Sequence, residues 1–233
     1  MIVRILTPIA CAIGVLGMGV SAGAASEEEA PRLLDARAFA PERVIAPPPA
    51  PGSAMVTEEL RFLSRLHAAA STDRVARAAR DGKDKTPHAF NDAAGRDLQA
   101  LPATTALLRI VKQETGAVVR AGKAYFHRTR PYVADPGLAH CDNGNGTDDS
   151  YPSGHAAFAW STGWTLAQLM PDRAPALLER ARDYADGREI CAVHYPSDVE
   201  AGHALGTLVA DHLLHDPRLA DQVAAARREL AQR

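Results

Sequence analysis

The stretch Ser150 to Ala157 reads SYPSGHAA, and it sets a proline, two serines, a glycine and a histidine against the apolar run HAAFAWSTGWTLAQLM (155–170). That run has the composition of a buried helix. A helix N-terminus carries unpaired backbone N–H groups and a partial positive charge, so a small-residue turn there is a ready seat for an anion. A Pro-Ser-Gly turn beside a surface histidine is also what many loops contain, so the rest of the chain has to decide.

Outward from this turn, the pattern is helical on both sides. Downstream lie RAPALLERARDYAD (173–186), PSDVEAGHALGTLVADHLL (196–214) and PRLADQVAAARRELAQR (217–233), alanine- and leucine-rich and separated by Pro or Gly. Upstream, LPATTALLRIVKQETGAVVRAGKAYF (101–126) carries Leu107, Leu108, Val111, Val118 and Val119 at helical spacing, with Gly116 weakening its middle. STDRVARAARD (71–81) reads as a helix capped by Ser71 or Thr72. TEELRFLSRLHAAA (57–70) places Leu60, Phe62, Leu63 and Leu66 on one face, with Glu58 and Glu59 in its first turn. Trp160 and Trp164, four residues apart, are expected in the core. No alternating strand, internal repeat or second composition regime appears, so the expectation is all-α, in a single compact helical domain.

The chain has 233 residues, 46% hydrophobic and 23% charged, with a formal net charge of −2. That balance, with no long basic run, argues against nucleic acid as a partner. The opening MIVRILTPIACAIGVLGMGVSAGAAS has a basic start at Arg4, an apolar run to Val20 and small residues at its end. It is read as a secretory signal peptide over 1–25, cut after Ala24 or Ala25, with a membrane anchor as the competing reading. A proline-rich extended arm follows over 26–56, and the helical domain over 57–233. The expected location is periplasmic or secreted, with no membrane anchor after cleavage. Once the signal is removed, Cys141 and Cys191 remain, an even pair in an exported chain, and they are expected to form a disulfide. Two buried free thiols are the alternative.

Two further clusters flank the turn. KAYFHRTRPY (123–132) offers Lys123, His127, Arg128 and Arg130 at a helix end, where a solvated basic terminus is the plain reading. GREICAVHYPSDVEAG (187–202) offers Arg188, His194 and Asp198, where Pro196 starts a helix and Asp198 can simply cap it. Taken together, Lys123, Arg130 and Arg188 suit the oxygens of a phosphoryl group, with N–H groups near Ser153 and Gly154 completing a cradle. One histidine then attacks phosphorus, another protonates the departing oxygen, and a carboxylate fixes a tautomer.

In this order and spacing, Lys123-x6-Arg130-Pro131, Pro152-Ser-Gly-His155 and Arg188-x5-His194-x3-Asp198 resemble the three-part signature of the type 2 phosphatidic acid phosphatase superfamily, which also contains the vanadium haloperoxidases. With the signal peptide, APPPAPGSA (46–54), SYPSGHA and CAVHYPSD (191–198), the chain most resembles the secreted bacterial class A non-specific acid phosphatases, from about Ile45 to the C-terminus. The resemblance implies His194 as the nucleophile that becomes phosphorylated, Asp198 as its orienting partner and His155 as the general acid. It makes Lys123, Arg130, Ser153, Gly154 and Arg188 the phosphate-binding set. The implied activity is hydrolysis of soluble, small-molecule phosphomonoesters with no cofactor and no metal. Related enzymes often pair, which leaves a homodimer open. One departure is Gly187, where the family usually has serine.

Two rival readings stay open: a vanadium-dependent haloperoxidase and an oxyanion-binding protein without turnover. The acidic loop CDNGNGTDD (141–149) does not fit calcium-loop spacing, because Gly144, Gly146 and Ser153 stand where ligands belong. His203, His212 and His215 are read as ordinary helix positions.

Overall fold

The computed structural model describes residues 33–35, 37–141 and 146–232. The expected signal peptide, the start of the arm and positions 142–145 of the acidic loop lie outside the described residues. In chain order the helices are α1 (Pro41–Val44), α2 (Ala54–Ala69), α3 (Thr72–Asp81), α4 (Asn91–Ala94), α5 (Pro102–Phe126), α6 (Pro131–Ala134), α7 (Gly154–Leu169), α8 (Ala174–Ile190), α9 (Pro196–Leu214) and α10 (Ala220–Ala231). Short 3₁₀ turns begin at Pro87, Leu98, Pro171 and Pro217, and the described residues contain no strand. The fold is all-α.

The helix after the SYPSG turn is the centre of the molecule. α7 packs against α9, α8 and α5, and residues as far apart along it as Ala156, Phe158, Ser161, Leu166 and Leu169 are all buried. A helix buried around most of its circumference needs only a narrow polar face, and here the less buried positions beyond the first turn are Trp160, Trp164 and Gln168, four residues apart along one side. Its small residues let neighbours approach closely. A Cβ on Gly202 of α9 would fall 2.5 Å from the Ser153 carbonyl oxygen, and one on Gly206 would collide with the Ala157 carbonyl. The α9 backbone therefore lies directly on the first turn of α7, and the turn's position is fixed by that contact.

Elsewhere the expected helices are present with shifted ends. α2 begins at Ala54 because Ser53 caps it, its Oγ accepting from Val56 N at 3.3 Å. Glu59 is consequently not in the first turn, and it is buried. Of the expected apolar face, Leu63 is buried while Phe62 is exposed. Ser71 caps α3, accepting from Arg74 N at 3.2 Å. α5 runs straight through Gly116. α8 continues to Ile190, which carries Arg188 in its last turn. Trp160 and Trp164 pack against the core but are only partly buried, and Trp160 stacks on His203 at 3.6 Å. Of the other helix histidines, His212 meets Phe39 edge to face and His215 closes α9 against Asp211. No helix among the described residues is long and apolar enough to cross a membrane.

Cys141 and Cys191 are bonded, as expected, and Cys141 N also donates to Cys191 O at 3.0 Å. The bond closes 50 residues of separation, worth about 4 kcal/mol through the restricted unfolded chain.

Candidate active site

The N-terminus of α7 is built by Ser153, which caps the helix with its Oγ and is itself held by a bond from its N–H to the Asp198 carbonyl at 2.9 Å. Gly154 follows, and the space where its Cβ would stand is bordered by Val119 at 3.3 Å, Lys123 Cε at 3.9 Å and Lys85 Nζ at 4.0 Å. Side chains from α5 and from the loop after α3 thus converge over an N–H-rich helix end, the local arrangement that favours an anion.

His194 precedes α9 and is almost wholly buried. Its Nδ1 lies 3.2 Å from Asp198 Oδ2, and its Nε2 lies 3.1 Å from Arg130 Nη1. A carboxylate accepts and a guanidinium donates, so the proton sits on Nδ1 and the lone pair on Nε2. Burial first, then the charges of Arg130, Lys123 and Arg188, hold the His194 pKa well below its usual value. The ring is a neutral base whose lone pair faces cations.

Asp198 sits at the third position of α9 and is fully buried. Burial pushes its pKa up. Donors nevertheless converge on it: Tyr195 N at 2.9 Å, Ser150 Oγ at 2.5 Å and Arg128 Nη1 at 2.6 Å, besides the His194 ring. An acceptor-only role fits the ionised carboxylate. Arg128 continues the chain through its Nη2 to Glu59 Oε2 at 2.7 Å, and it lies 3.9 Å over the Tyr195 ring. Ser197 N closes the network on Glu59 Oε1 at 2.8 Å.

His155 is the second residue of α7. Its Nε2 lies 3.0 Å from the Gly82 carbonyl, an acceptor, so this nitrogen carries the proton of the neutral ring. Burial, then the charges of Lys85 and Arg188, push its pKa well down. An anion placed among those cations reverses their contribution and raises it.

The three basic side chains each face this space from a different element. Lys123, in the last turn of α5, donates to the Asp149 carbonyl, and burial followed by Arg130 brings its pKa down to about 8. Arg130 donates through Nε to Asp149 Oδ1 at 2.9 Å and through Nη1 to Val193 O at 3.0 Å. Arg188 is buried, with a long 3.4 Å bond to Ala78 O and an Nε that has no hydrogen-bond partner among the described residues. Its guanidinium lies against Gly82, where a Cβ would collide with Nη1. A buried guanidinium so poorly satisfied is costly by itself and is relieved by an anion. Asp149, at the rim, would have its pKa raised by burial, but the Arg130 bond and the charges of Lys123 and Arg130 hold it at about 2.

His194, His155, Asp198, Lys123, Arg130, Ser153, Gly154 and Arg188 are therefore linked in one cluster, whereas His127 is exposed, 3.8 Å from Asp148. Gly187 faces away from the cluster, 3.3 Å from Ala78 by its absent Cβ. The sequence reading missed Glu59, the inward turn of Arg128, Ser150 and Lys85. Arg128 looked like a solvated helix end, and only the nearness of buried acids in space reveals otherwise.

Comparison with known proteins adds the following. The model of the PAP2 superfamily matches residues 102–219. An acid phosphatase of Zymomonas mobilis subsp. mobilis is 30% identical over 97% of this chain and 90% of its own length. A non-specific acid phosphatase of Providencia stuartii is 27% identical over 81% of this chain and 79% of its own. One from Salmonella typhi is 34% identical over 47% of this chain and 45% of its own.

Proposed function

This chain belongs to the PAP2 superfamily, and on that premise we propose that it is an acid phosphatase that hydrolyses soluble phosphomonoesters through a phosphohistidine intermediate. The observation that carries this reading is the pose of His194: Nδ1 on Asp198, Nε2 turned toward Arg130 among the cations. A ring anchored by a carboxylate, with its lone pair directed at guanidinium and ammonium groups that would repel a metal ion, supports a role as nucleophile toward a phosphoryl anion.

In the proposed reaction the transferred phosphoryl group rests on the N–H groups at the start of α7, with its oxygens on Lys123, Arg130 and Arg188. Nε2 of His194 forms a bond to phosphorus, and the ester P–O bond breaks with its electron pair going to the leaving oxygen. His155 gives that oxygen a proton, then accepts one from the water that cleaves the P–N bond and releases inorganic phosphate. Asp198, ionised and fixed by Arg128 and Ser150, stabilises the charge that develops on the His194 ring. Three cationic side chains meet the phosphoryl charge directly, so the proposed chemistry calls for no metal and no cofactor. A helical domain whose α2 begins at Ala54, three residues before the expected boundary at 57, preceded by an arm and a cleaved signal over 1–25, fits an enzyme acting in the periplasm or outside the cell. The acid phosphatase relatives favour this reading over haloperoxidase chemistry or binding without turnover.

The test is phosphate release from a panel of monoesters with and without prolonged chelation, together with vanadate inhibition. Activity that survives chelation and is lost with vanadate is the expected result. Activity lost on chelation and restored by zinc or magnesium overturns the metal-free mechanism, and no release from any ester overturns the reading as a whole.

A further inference from the structure

Lys85 belongs to none of the three sequence motifs, yet its side chain stands in the cation cluster. It comes from the loop between α3 and the 3₁₀ turn at Pro87. Its Nζ lies 4.0 Å from the point a Gly154 Cβ would occupy, the same point that Lys123 Cε approaches to 3.9 Å. The two lysine chains thus border the start of α7 together. The loop is tied down from behind, because Lys112 Nζ of α5 donates to the Lys85 carbonyl at 2.7 Å and brings another positive charge to the rim. Asp149 pairs with Lys123 and Arg130, whereas Lys85 forms no ion pair among the described residues. Burial, then Lys112, Arg188 and Arg130, push the Lys85 pKa down, as expected of a cation held beside cations.

The position of Lys85 along its loop gives it a direction. Three residues earlier, the Gly82 carbonyl meets His155 Nε2 at 3.0 Å, and Gly82 is also the residue against which the Arg188 guanidinium rests. The segment 82–85 therefore lines the His155 side of the cradle, where the bond to the departing group breaks under the mechanism above. Lys123, Arg130 and Arg188 with the α7 N–H groups already provide for a single phosphoryl group. Lys85 is thus a positive charge beyond that set, on the leaving side of the cradle.

We propose that Lys85 determines specificity by binding a second phosphate next to the one transferred, so that this enzyme favours phosphoanhydrides over simple esters. The shared chemistry is a terminal phosphoryl group joined to another phosphate, as in a nucleoside diphosphate or inorganic diphosphate. The proposal rests on the phosphatase reading above. In the step itself, the Nε2–P bond of His194 forms and the P–O–P bridge breaks on the terminal side. The electron pair goes to the bridging oxygen, and the departing phosphate carries its added charge beside Lys85. Water then cleaves the P–N bond, releasing inorganic phosphate. A departing phosphate is far less basic than an alkoxide, so it depends less on the proton from His155.

The test compares kcat/KM for inorganic diphosphate and ADP with kcat/KM for glycerol phosphate and AMP, in the wild type, Lys85→Gln and Lys85→Arg. Lys85→Gln should lower the anhydride-to-ester ratio about ten- to a hundredfold, the worth of one charge-assisted hydrogen bond, and Lys85→Arg should retain most of it. A fall that is equal for both substrate classes overturns the specificity role. Parallel losses on ADP and diphosphate support readout of the phosphate, whereas a loss confined to ADP overturns it in favour of nucleoside recognition. A measurement on the unaltered enzyme stands independently of how the variants fold: methylene diphosphonate should inhibit glycerol phosphate hydrolysis at least tenfold more tightly than inorganic phosphate, and equal inhibition overturns the proposal. A wild type that releases phosphate from neither class overturns the phosphatase reading itself, and this proposal with it.

Discussion

Nη1 of Arg130 stands 3.1 Å from Nε2 of His194, so the guanidinium proposed to bind a phosphoryl oxygen also touches the nitrogen proposed to attack phosphorus. The sign of its electrostatic effect is fixed. A cation beside the ring disfavours the imidazolium and lowers the His194 pKa, and removing it raises that pKa. Arg130→Gln should therefore move the acidic limb of kcat/KM to higher pH, because the ring protonates sooner, besides lowering the rate. A pH profile whose acidic limb stays in place would contradict the arrangement.

The two histidines should separate by leaving group. His155→Ala is expected to lose far more activity on alkyl phosphates than on p-nitrophenyl phosphate, whose phenolate leaves without a proton. His194→Ala should be nearly inactive on both, and Asp198→Asn should fall between, since the ring survives without the charge that stabilises its protonated form. Rapid-quench kinetics with labelled substrate decides the matter. Label trapped on His155 would reverse the two roles.

The depressed pKa of His155 carries its own prediction. Burial and the charges of Lys85 and Arg188 lower it in the free enzyme, and a bound phosphoryl anion raises it again. The basic limb, where the acid loses its proton, should lie at higher pH in the kcat profile than in the kcat/KM profile. Coincident limbs would count against His155 as the acid.

Asp149 neutralises Arg130 and Lys123 at the rim, and with a pKa of about 2 it stays ionised at any working pH. A phosphoryl anion approaching the same cations meets its repulsion. Asp149→Asn should tighten inhibition by phosphate and vanadate by roughly three- to tenfold, on the order of one partly exposed charge pair. Weaker inhibition would mean that Asp149 serves to hold the cations in place.

Gly187→Ser, which restores the residue usual in the family, places a Cβ 3.3 Å from that of Ala78 and 3.9 Å from Arg74 Nη1, a buried donor without a partner among the described residues. The mild crowding and the new acceptor oppose one another, so turnover should change by less than about tenfold. Arg188→Ala should cost far more, because it removes a charged contact to the phosphoryl oxygens. Equal losses from the two substitutions would refute this ranking.

The helices were legible because their apolar positions recur at helical spacing, and the cluster was legible because its chemistry uses fixed residue types on single turns. His194 and Asp198 are four apart on one turn, and Pro152 to His155 form a helix start. What was not legible depends on distance along the chain. Arg128 and Glu59 are 69 positions apart, and nothing local distinguishes either from a solvated charge until the fold buries both. The early start of α2 escaped notice for a related reason: Ser53 lies in a proline-rich stretch that reads as arm, yet its hydroxyl caps the helix. Lys85 is one of two lysines in a polar loop, with Lys83, and only the backbone of Gly154 beneath it gives it meaning.

The contact of Gly202 and Gly206 with the first turn of α7 also bears on how such an enzyme can change over time. No side chain larger than hydrogen fits at either position without displacing the backbone that presents the anion seat. The seat is thereby closed to gradual adjustment from α9, the helix whose first turn carries Asp198. Selection for a different substrate has to act through residues that border the seat from outside that contact, such as the 82–85 loop and the rim at Asp149. New specificities are accordingly expected to arise by exchange of loop residues around a reaction centre that descends unaltered.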